Sequence, residues 1–178
     1  MSAARALPAT EHPIEPIGTH TISVFVNNKP GVLVRVALVF SRRGFNIESL
    51  VVSPGVEGRF SRMTITCSGR NEDLGQVVKQ LAKLVDVVHA IDHTADSTYS
   101  VEIALIKLEC AIDARTEILQ IAEHYKARVV DFGPAALILQ AHGSSEKLDA
   151  LTELLRPYNP VELVRSGKLL MARGERVT

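Results

Sequence analysis

The spacing of apolar residues in the first half of the chain predicts a strand, a helix, a strand pair, a second helix and a closing strand. Ile22, Val24 and Val26 alternate with outward positions, which is typical of a strand with one apolar face. Residues 32–40 repeat apolar side chains at the spacing of an amphipathic helix. The other predicted elements are strands at 45–53 and 60–68, a helix from about residue 71 and a strand at 85–91.

The second half repeats this βαββαβ order after a polar linker at residues 93–98. Its predicted elements are a strand at 99–110, a helix from about residue 113, strands at 128–133 and 136–142, a helix capped by Ser144 or Ser145 and stopped by Pro157, and short strands at 161–164 and 169–171. We therefore predict an α+β fold of two tandem ferredoxin-like domains at residues 20–94 and 95–174, after a flexible tail at residues 1–19.

Composition narrows the partners that we expect. The 178 residues hold 20 Lys plus Arg and 20 Asp plus Glu, so the formal net charge is zero and gives no general attraction to nucleic acid or an anionic membrane. Cys67 and Cys110 stand far apart without a CxxC motif, which favours a reducing, cytoplasmic location. No apolar run is long enough for a signal peptide or a membrane helix, so we expect a soluble protein.

Candidate catalytic groups do not form a recognisable constellation. His89 and His93 are four residues apart on a predicted strand, which separates them by about 13 Å, too far to share one metal ion. Cys67 and Cys110 occupy alternating apolar positions, as packed small side chains do. We expect neither a metal site nor catalysis by this chain alone.

RNA binding is an alternative function, because the RNA recognition motif shares the βαββαβ order. The segment EGRFSRM at residues 57–63 has a faint similarity to the third-strand signature of that module. However, only Phe25 and Phe60 are available for base stacking, and the chain has no excess of positive charge. We therefore expect no nucleic-acid partner.

One stretch, residues 27–50, carries the clearest candidate site. It reads NNKPGVLVRVALVFSRRGFNIESL and predicts a polar turn, a helix with Pro30 in its first turn and Gly44 after its end, and a strand. The free backbone N–H groups of the helix start, beside Asn28, suit a small carboxylate. Asn, Pro and Gly also make ordinary strand-to-helix turns, so spacing alone leaves both interpretations open.

A family resemblance extends over roughly residues 20–174. The segments that carry it in the first half are NKPGVLVRV, FSRRGFNIESL, SRMTI and QLAKLVDV, and those in the second half are VEIALIKL, AHGSSEKLDAL, VRSG and ARG. Together and in this order, they resemble the small regulatory subunit of acetolactate synthase, in which the first domain is an amino-acid-sensing ACT domain and the second is ACT-like.

The resemblance implies that the chain activates the catalytic subunit of acetolactate synthase and confers feedback inhibition by a branched-chain amino acid. Valine is the first expectation, with leucine and isoleucine as alternatives. Thiamine diphosphate, Mg²⁺ and FAD are expected in the catalytic partner and not in this chain. A stand-alone amino-acid-sensing ACT protein is the alternative within the same fold.

The resemblance also assigns the effector site. Its expected residues are Asn28, Lys29, Pro30, Gly31, Val32, Leu33, Asn46 and Ile47. The N–H groups of Gly31, Val32 and Leu33 suit the effector carboxylate, whereas the two asparagine side chains offer carbonyls to its ammonium and amides to its carboxylate. Leu33 and Ile47 are expected to line an apolar pocket. The resemblance implies a homodimer in which Asn28 and Gly31 of one ACT domain face Asn46 and Ile47 of the other.

Overall fold

The computed structural model describes residues 17–175 and residue 178, and the chain forms two units built on separate sheets. The first unit contains β1 (Ile17–Asn27), α1 (Val32–Arg42), β2 (Asn46–Pro54), β3 (Phe60–Arg70), α2 (Asn71–Leu81) and β4 (Val87–Asp92). Its antiparallel sheet has the order β2-β3-β1-β4, which makes β2 and β4 the edge strands.

The second unit has the same order of elements, with an additional strand at its end. It contains β5 (Thr98–Glu109), α3 (Arg115–His124), β6 (Arg128–Phe132), β7 (Ala136–Gly143), α4 (Ser145–Leu155), β8 (Pro160–Arg165) and β9 (Leu169–Ala172). The sheet order is β6-β7-β5-β8, and β9 pairs separately with the first residues of β5, Thr98–Val101. The predicted α+β class with two βαββαβ units is confirmed.

Each unit buries its own core between one sheet face and two helices. The alternating apolar residues of β1 and β3 meet the apolar stripes of α1 and α2, and Ile22, Phe40 and Ile65 are fully buried there. The second core is equivalent, with Ile106 and Leu139 packed against the helices. The helices therefore cover one face of each sheet and leave the other face to be covered differently.

The helix-free face of the first sheet carries several buried polar side chains and is partly covered by the end of the chain. Ser23 and Thr64 on this face are 1% and 6% exposed. A Cβ added to Gly167, in the turn before β9, would lie 3.0 Å from Cβ of Ser49. His93 also lies here, with Nε2 2.8 Å from the Ser23 hydroxyl and Nδ1 3.2 Å from the carboxylate of Asp96. The second unit thus supplies part of the cover that the first sheet needs.

Three predicted boundaries require correction or comment. β1 begins at Ile17, so residues 17–19 belong to the strand and not to the expected tail, and residues 1–16 of that prediction lie outside the described part of the chain. Pro30 precedes α1, because Gly31 is the N-cap and its φ of +81° interrupts helical geometry. Ser144 caps α4, with its hydroxyl accepting from the N–H of Lys147, which resolves the choice between the two serines.

Candidate functional site

The start of α1 presents backbone N–H groups without protein acceptors. Gly31 is the N-cap with φ +81° and ψ −7°, and no side chain caps the helix. The N–H of Val32 has a long contact of 3.5 Å to the carbonyl of Lys29. Within residues 17–175 and 178, the N–H groups of Gly31 and Leu33 donate to no protein group. Such a helix start favours an anion, because its free N–H groups lie at the positive end of the helix dipole.

Asn28 is fixed beside this helix start by the hairpin turn between β2 and β3. Its backbone N–H donates to the carbonyl of Arg59 at 2.9 Å, and its side-chain Nδ2 donates to the carbonyl of Gly58 at 3.0 Å. One of the two Nδ2 hydrogens is therefore engaged, and the other is available to an effector carboxylate, as the sequence analysis predicts. The exposed Oδ1 is left to accept from a ligand ammonium.

Asn46 and Ile47 lie at the start of β2, beside a carboxylate that the sequence did not single out as part of the site. Nδ2 of Asn46 donates to Glu48 at 2.7 Å, and the Ser68 hydroxyl donates to the same oxygen at 2.6 Å. These bonds, from Ser68 first and Asn46 second, lower the pKa of the Glu48 carboxyl. Ile47 is half-buried and lines a shallow cavity of about 400 Å³ together with Phe40. This end therefore offers an anion and an apolar wall.

A single chain does not bring the two halves of the predicted site together. Asn28 and Gly31 precede α1, whereas Asn46 and Ile47 follow it, and a helix of 11 residues is about 16 Å long. Leu33, the other expected pocket residue, is 41% exposed. An apolar pocket against Leu33 therefore requires a second surface.

The cations near the helix start are paired with Asp86. Nζ of Lys29 lies 3.7 Å from one carboxylate oxygen of Asp86, and Nη2 of Arg35 lies 2.5 Å from the other. Asp86 lies in the turn before β4, which begins at Val87, whereas the sequence predicts a strand over residues 85–91. The partly buried carboxylate reduces the positive field of Lys29 at the site. Sequence spacing gives no signal for this pairing, because Arg35 and Asp86 are 51 residues apart.

The remaining candidate groups have structural surroundings. His89 stacks on Phe25 with ring centroids 5.2 Å apart. Cys67 is fully buried, and burial first, then the charges of Asp92 and Glu48, raise the pKa of its thiol to about 12. Among residues 17–175 and 178, no three His, Cys, Asp or Glu side chains form a group that could hold a metal ion. In the same part of the chain, no helix has the length and apolar character needed to span a bilayer.

Comparison with known proteins assigns the class of the first unit. Residues 22–89 match a family described as "AHAS small subunit-like ACT domain". This match agrees with the βαββαβ order of the first unit. The first unit is therefore an ACT domain.

The second unit and the whole chain match one family. Residues 101–174 match the family described as "Small subunit of acetolactate synthase". The acetolactate synthase small subunit of Mycobacterium leprae is 43% identical over 158 residues, covering 89% of this chain and 94% of the relative. The probable acetolactate synthase small subunit of Methanothermobacter thermautotrophicus is 43% identical over 159 residues, covering 89% and 95%. The crystal structure of the small subunit from Thermotoga maritima aligns with a TM-score of 0.79 at 32% identity, covering 89% of this chain and 99% of that one. The chain belongs to the acetolactate synthase small-subunit family.

Proposed function

We propose that this chain is a regulatory subunit that binds the catalytic subunit of acetolactate synthase, raises its activity and makes it sensitive to a branched-chain amino acid, with valine as the effector. Family membership supports the regulatory role. The observation that carries the effector site is the set of free N–H groups at the start of α1, which includes those of Gly31 and Leu33. A free amino acid carries the carboxylate that these groups suit.

The complete effector site forms in a homodimer through β2. β2 is an edge strand, so its outer N–H and C=O groups are available to a second copy. Antiparallel pairing of two β2 strands places the Asn46 end of one beside the Pro54 end of the other. The Pro54 end adjoins the hairpin turn that holds Asn28 through Gly58. This pairing therefore sets the α1 start of one copy against Asn46 and Ile47 of its partner.

Each part of the effector meets a matching group at this junction. The helix dipole stabilises the carboxylate by about 0.3 to 2 kcal/mol, and burial of a valine-sized side chain against Leu33 and Ile47 contributes about 1.5 to 3 kcal/mol. The Asn28 carbonyl and the Glu48 carboxylate accept from the ammonium. One additional methylene changes the apolar contribution by only about 0.8 kcal/mol, so leucine and isoleucine are expected to bind with affinities of similar order.

Regulation follows from the location of this site between two copies. An effector that binds one arrangement of the junction more tightly than another shifts the population by its differential affinity. Thiamine diphosphate, Mg²⁺ and FAD belong to the catalytic partner in this proposal, and the chain itself supplies no catalytic group. The catalytic chemistry then responds to valine through the subunit contact.

The test is reconstitution with the catalytic subunit. We expect acetolactate formation to rise when this chain is added to the catalytic subunit, and to fall again when valine is added to the mixture. Lysine serves as a control amino acid, since its cationic side chain does not fit an apolar pocket. If the chain leaves the basal rate unchanged, the regulatory proposal is wrong.

The stand-alone sensor predicts a different pair of results. Calorimetry would detect valine binding to this chain alone, but the catalytic subunit would neither co-purify with it nor change its rate. The two measurements together therefore separate a regulatory subunit from a free sensor.

A further inference from the structure

A second cavity lies on the opposite face of the first sheet from α1. It has a volume of about 750 Å³ and is bounded by β1, the ends of β2 and β3, the hairpin turn between them, and β9 of the second unit. This volume falls in the range of small-molecule sites, which is about 300 to 1,000 Å³. The proposed valine site does not include this cavity, because α1 packs on the other face of the sheet.

The walls of this cavity are aromatic and aliphatic. Phe25 and Phe60 face it from neighbouring strands, with ring centroids 5.1 Å apart. His89 stacks on the far side of Phe25 and holds that ring in place. Val51 and Leu170 close the cavity from β2 and β9. A flat apolar group in the cavity would therefore have aromatic contact on one side and aliphatic contact on the other.

One cation in the wall has no acidic partner. Arg62 is half-buried on β3, and its Cζ lies 5.7 Å from the ring centroid of Phe25. Among the ion pairs of the described residues, none involves Arg62. The one carboxylate in the lining, Glu57, is exposed on the hairpin turn. A half-buried guanidinium next to apolar walls favours an anionic group that lies beside it.

We infer that this cavity binds a small organic anion with a flat apolar body, whose charged group pairs with Arg62 while its body packs against Phe25 and Phe60. The hydroxyls of Ser53 and Thr64, also in the lining, can donate to the same anion. An amino-acid zwitterion is disfavoured here, because its ammonium would lie beside the Arg62 cation. Such a ligand would contact both units at once, through β3 and β9.

Two fluorescent probes that differ in charge test this inference on the full chain. Anilinonaphthalene sulfonate is an aromatic monoanion with a flat naphthalene ring, and phenylnaphthylamine has the same rings without the charge. We expect saturable binding of about one sulfonate probe per chain, and Arg62→Gln is expected to weaken it about tenfold, because a charge-assisted contact is lost. The affinity for the neutral probe is expected to stay within about twofold.

Arg128→Gln is the matched control, since Arg128 is an exposed arginine on β6 of the second unit and does not line the cavity. We expect it to leave both probes unchanged. A second variant, Val51→Trp, fills the cavity and is expected to reduce binding of both probes. The inference is wrong if Arg62→Gln weakens the two probes equally, if Arg128→Gln weakens the sulfonate as much as Arg62→Gln does, or if valine displaces the probe.

Discussion

At the scale of single residues, Gly31 determines what the start of α1 can bind. Its φ of +81° lies in the left-handed region, which costs most other residues about 1 kcal/mol. A Cβ at this position would have only the Arg35 guanidinium nearby, at 3.6 Å, so the requirement is conformational and not steric. Pro30, just before it, has no N–H to donate. Among the described residues, the donors without a protein acceptor at this helix start are therefore the N–H groups of Gly31, Leu33 and Val34.

The charge at this position can be tested with two substitutions of the same shape. Gly31→Asp and Gly31→Asn impose a similar backbone cost, but only the aspartate places a negative charge where the effector carboxylate is proposed to lie. In the reconstituted enzyme, we expect Gly31→Asp to raise the valine concentration for half-inhibition by about tenfold more than Gly31→Asn does. Activation without valine is the control and should remain. An equal effect of the two substitutions would place the effector carboxylate elsewhere.

Cys67 gives a prediction on pH dependence. Burial raises the pKa of the Cys67 thiol from 9.0 to about 12, so between these pH values the thiol is ionised in the unfolded state but not in the folded state. Proton binding is then lower in the unfolded state, and the free energy of unfolding falls as pH rises from 9 towards 12, whereas below pH 9 this thiol contributes no slope.

Compared with Cys67→Val, the unmodified chain is therefore expected to lose up to about 1.4 kcal/mol more per pH unit in this window. Urea unfolding of both proteins at pH 8, 9, 10 and 11 measures the difference. Parallel curves for the two proteins would contradict the prediction.

At the scale of elements, one ion pair joins three elements of the second unit. Glu102 on β5 is 5% exposed and accepts from Nε of Arg165 on β8 at 3.0 Å and from the Ser145 hydroxyl of α4 at 2.7 Å. Arg165 also pairs with Asp149 on α4. Both oxygens of the carboxylate therefore have donors, as a buried charge requires.

Removing the charge of Glu102 should lower the stability of the second unit. Glu102→Gln keeps the volume but leaves the Arg165 guanidinium without its buried partner, and we expect a loss of about 1 to 3 kcal/mol. Glu162→Gln serves as the control, because Glu162 is exposed on β8 and is expected to change stability by less than about 0.5 kcal/mol. Urea denaturation followed by circular dichroism provides the comparison. Equal stability of the two variants would show that the ion pair contributes nothing measurable.

At the scale of the whole molecule, β2 is the edge through which we propose that two copies associate. The N–H of Gly55 donates to the carbonyl of Phe60. The backbone N–H and C=O groups of alternate β2 residues therefore bond to β3, whereas those of the residues between them face the open edge of the sheet. Val52 and Pro54 are two of the residues whose backbone groups face the open edge, and Pro54 has no N–H. The edge N–H of Val52 is thus available to a second copy.

Val52→Pro removes this outward N–H while β3 keeps its inward bonds. We expect a monomer by sedimentation velocity and loss of valine sensitivity in the reconstituted enzyme. Val52→Thr is the control, since it has the same branched shape and keeps the N–H, and it should remain a dimer. A dimer that survives the proline substitution would exclude pairing through β2.

The different roles that we propose for the two units give a final prediction at this scale. We propose residues 20–94 as the effector-binding part and residues 95–174 as the part that contacts the catalytic subunit. A chain truncated after Thr94 is therefore expected to bind valine in calorimetry but not to activate the catalytic subunit. Activation by this fragment would place the subunit contact on the first unit instead.

The sequence by itself determined the local features of this protein. Apolar residues at periods of about 2 and 3.6 predicted the strands and helices of both units, because each period places one face of an element in the core. Gly44 at the end of α1 and the turn before that helix were also recognisable, since glycine and proline limit the backbone where they stand.

Only the tertiary structure decided which distant residues meet. Arg35 pairs with Asp86 across 51 positions, and His93 bonds to Ser23 across 70. It also decided that the end of the chain covers part of the helix-free face of the first sheet. The physical reason is that such contacts depend on strand order and register over the whole sheet, whereas a periodic pattern reports only which side of its own element faces the core.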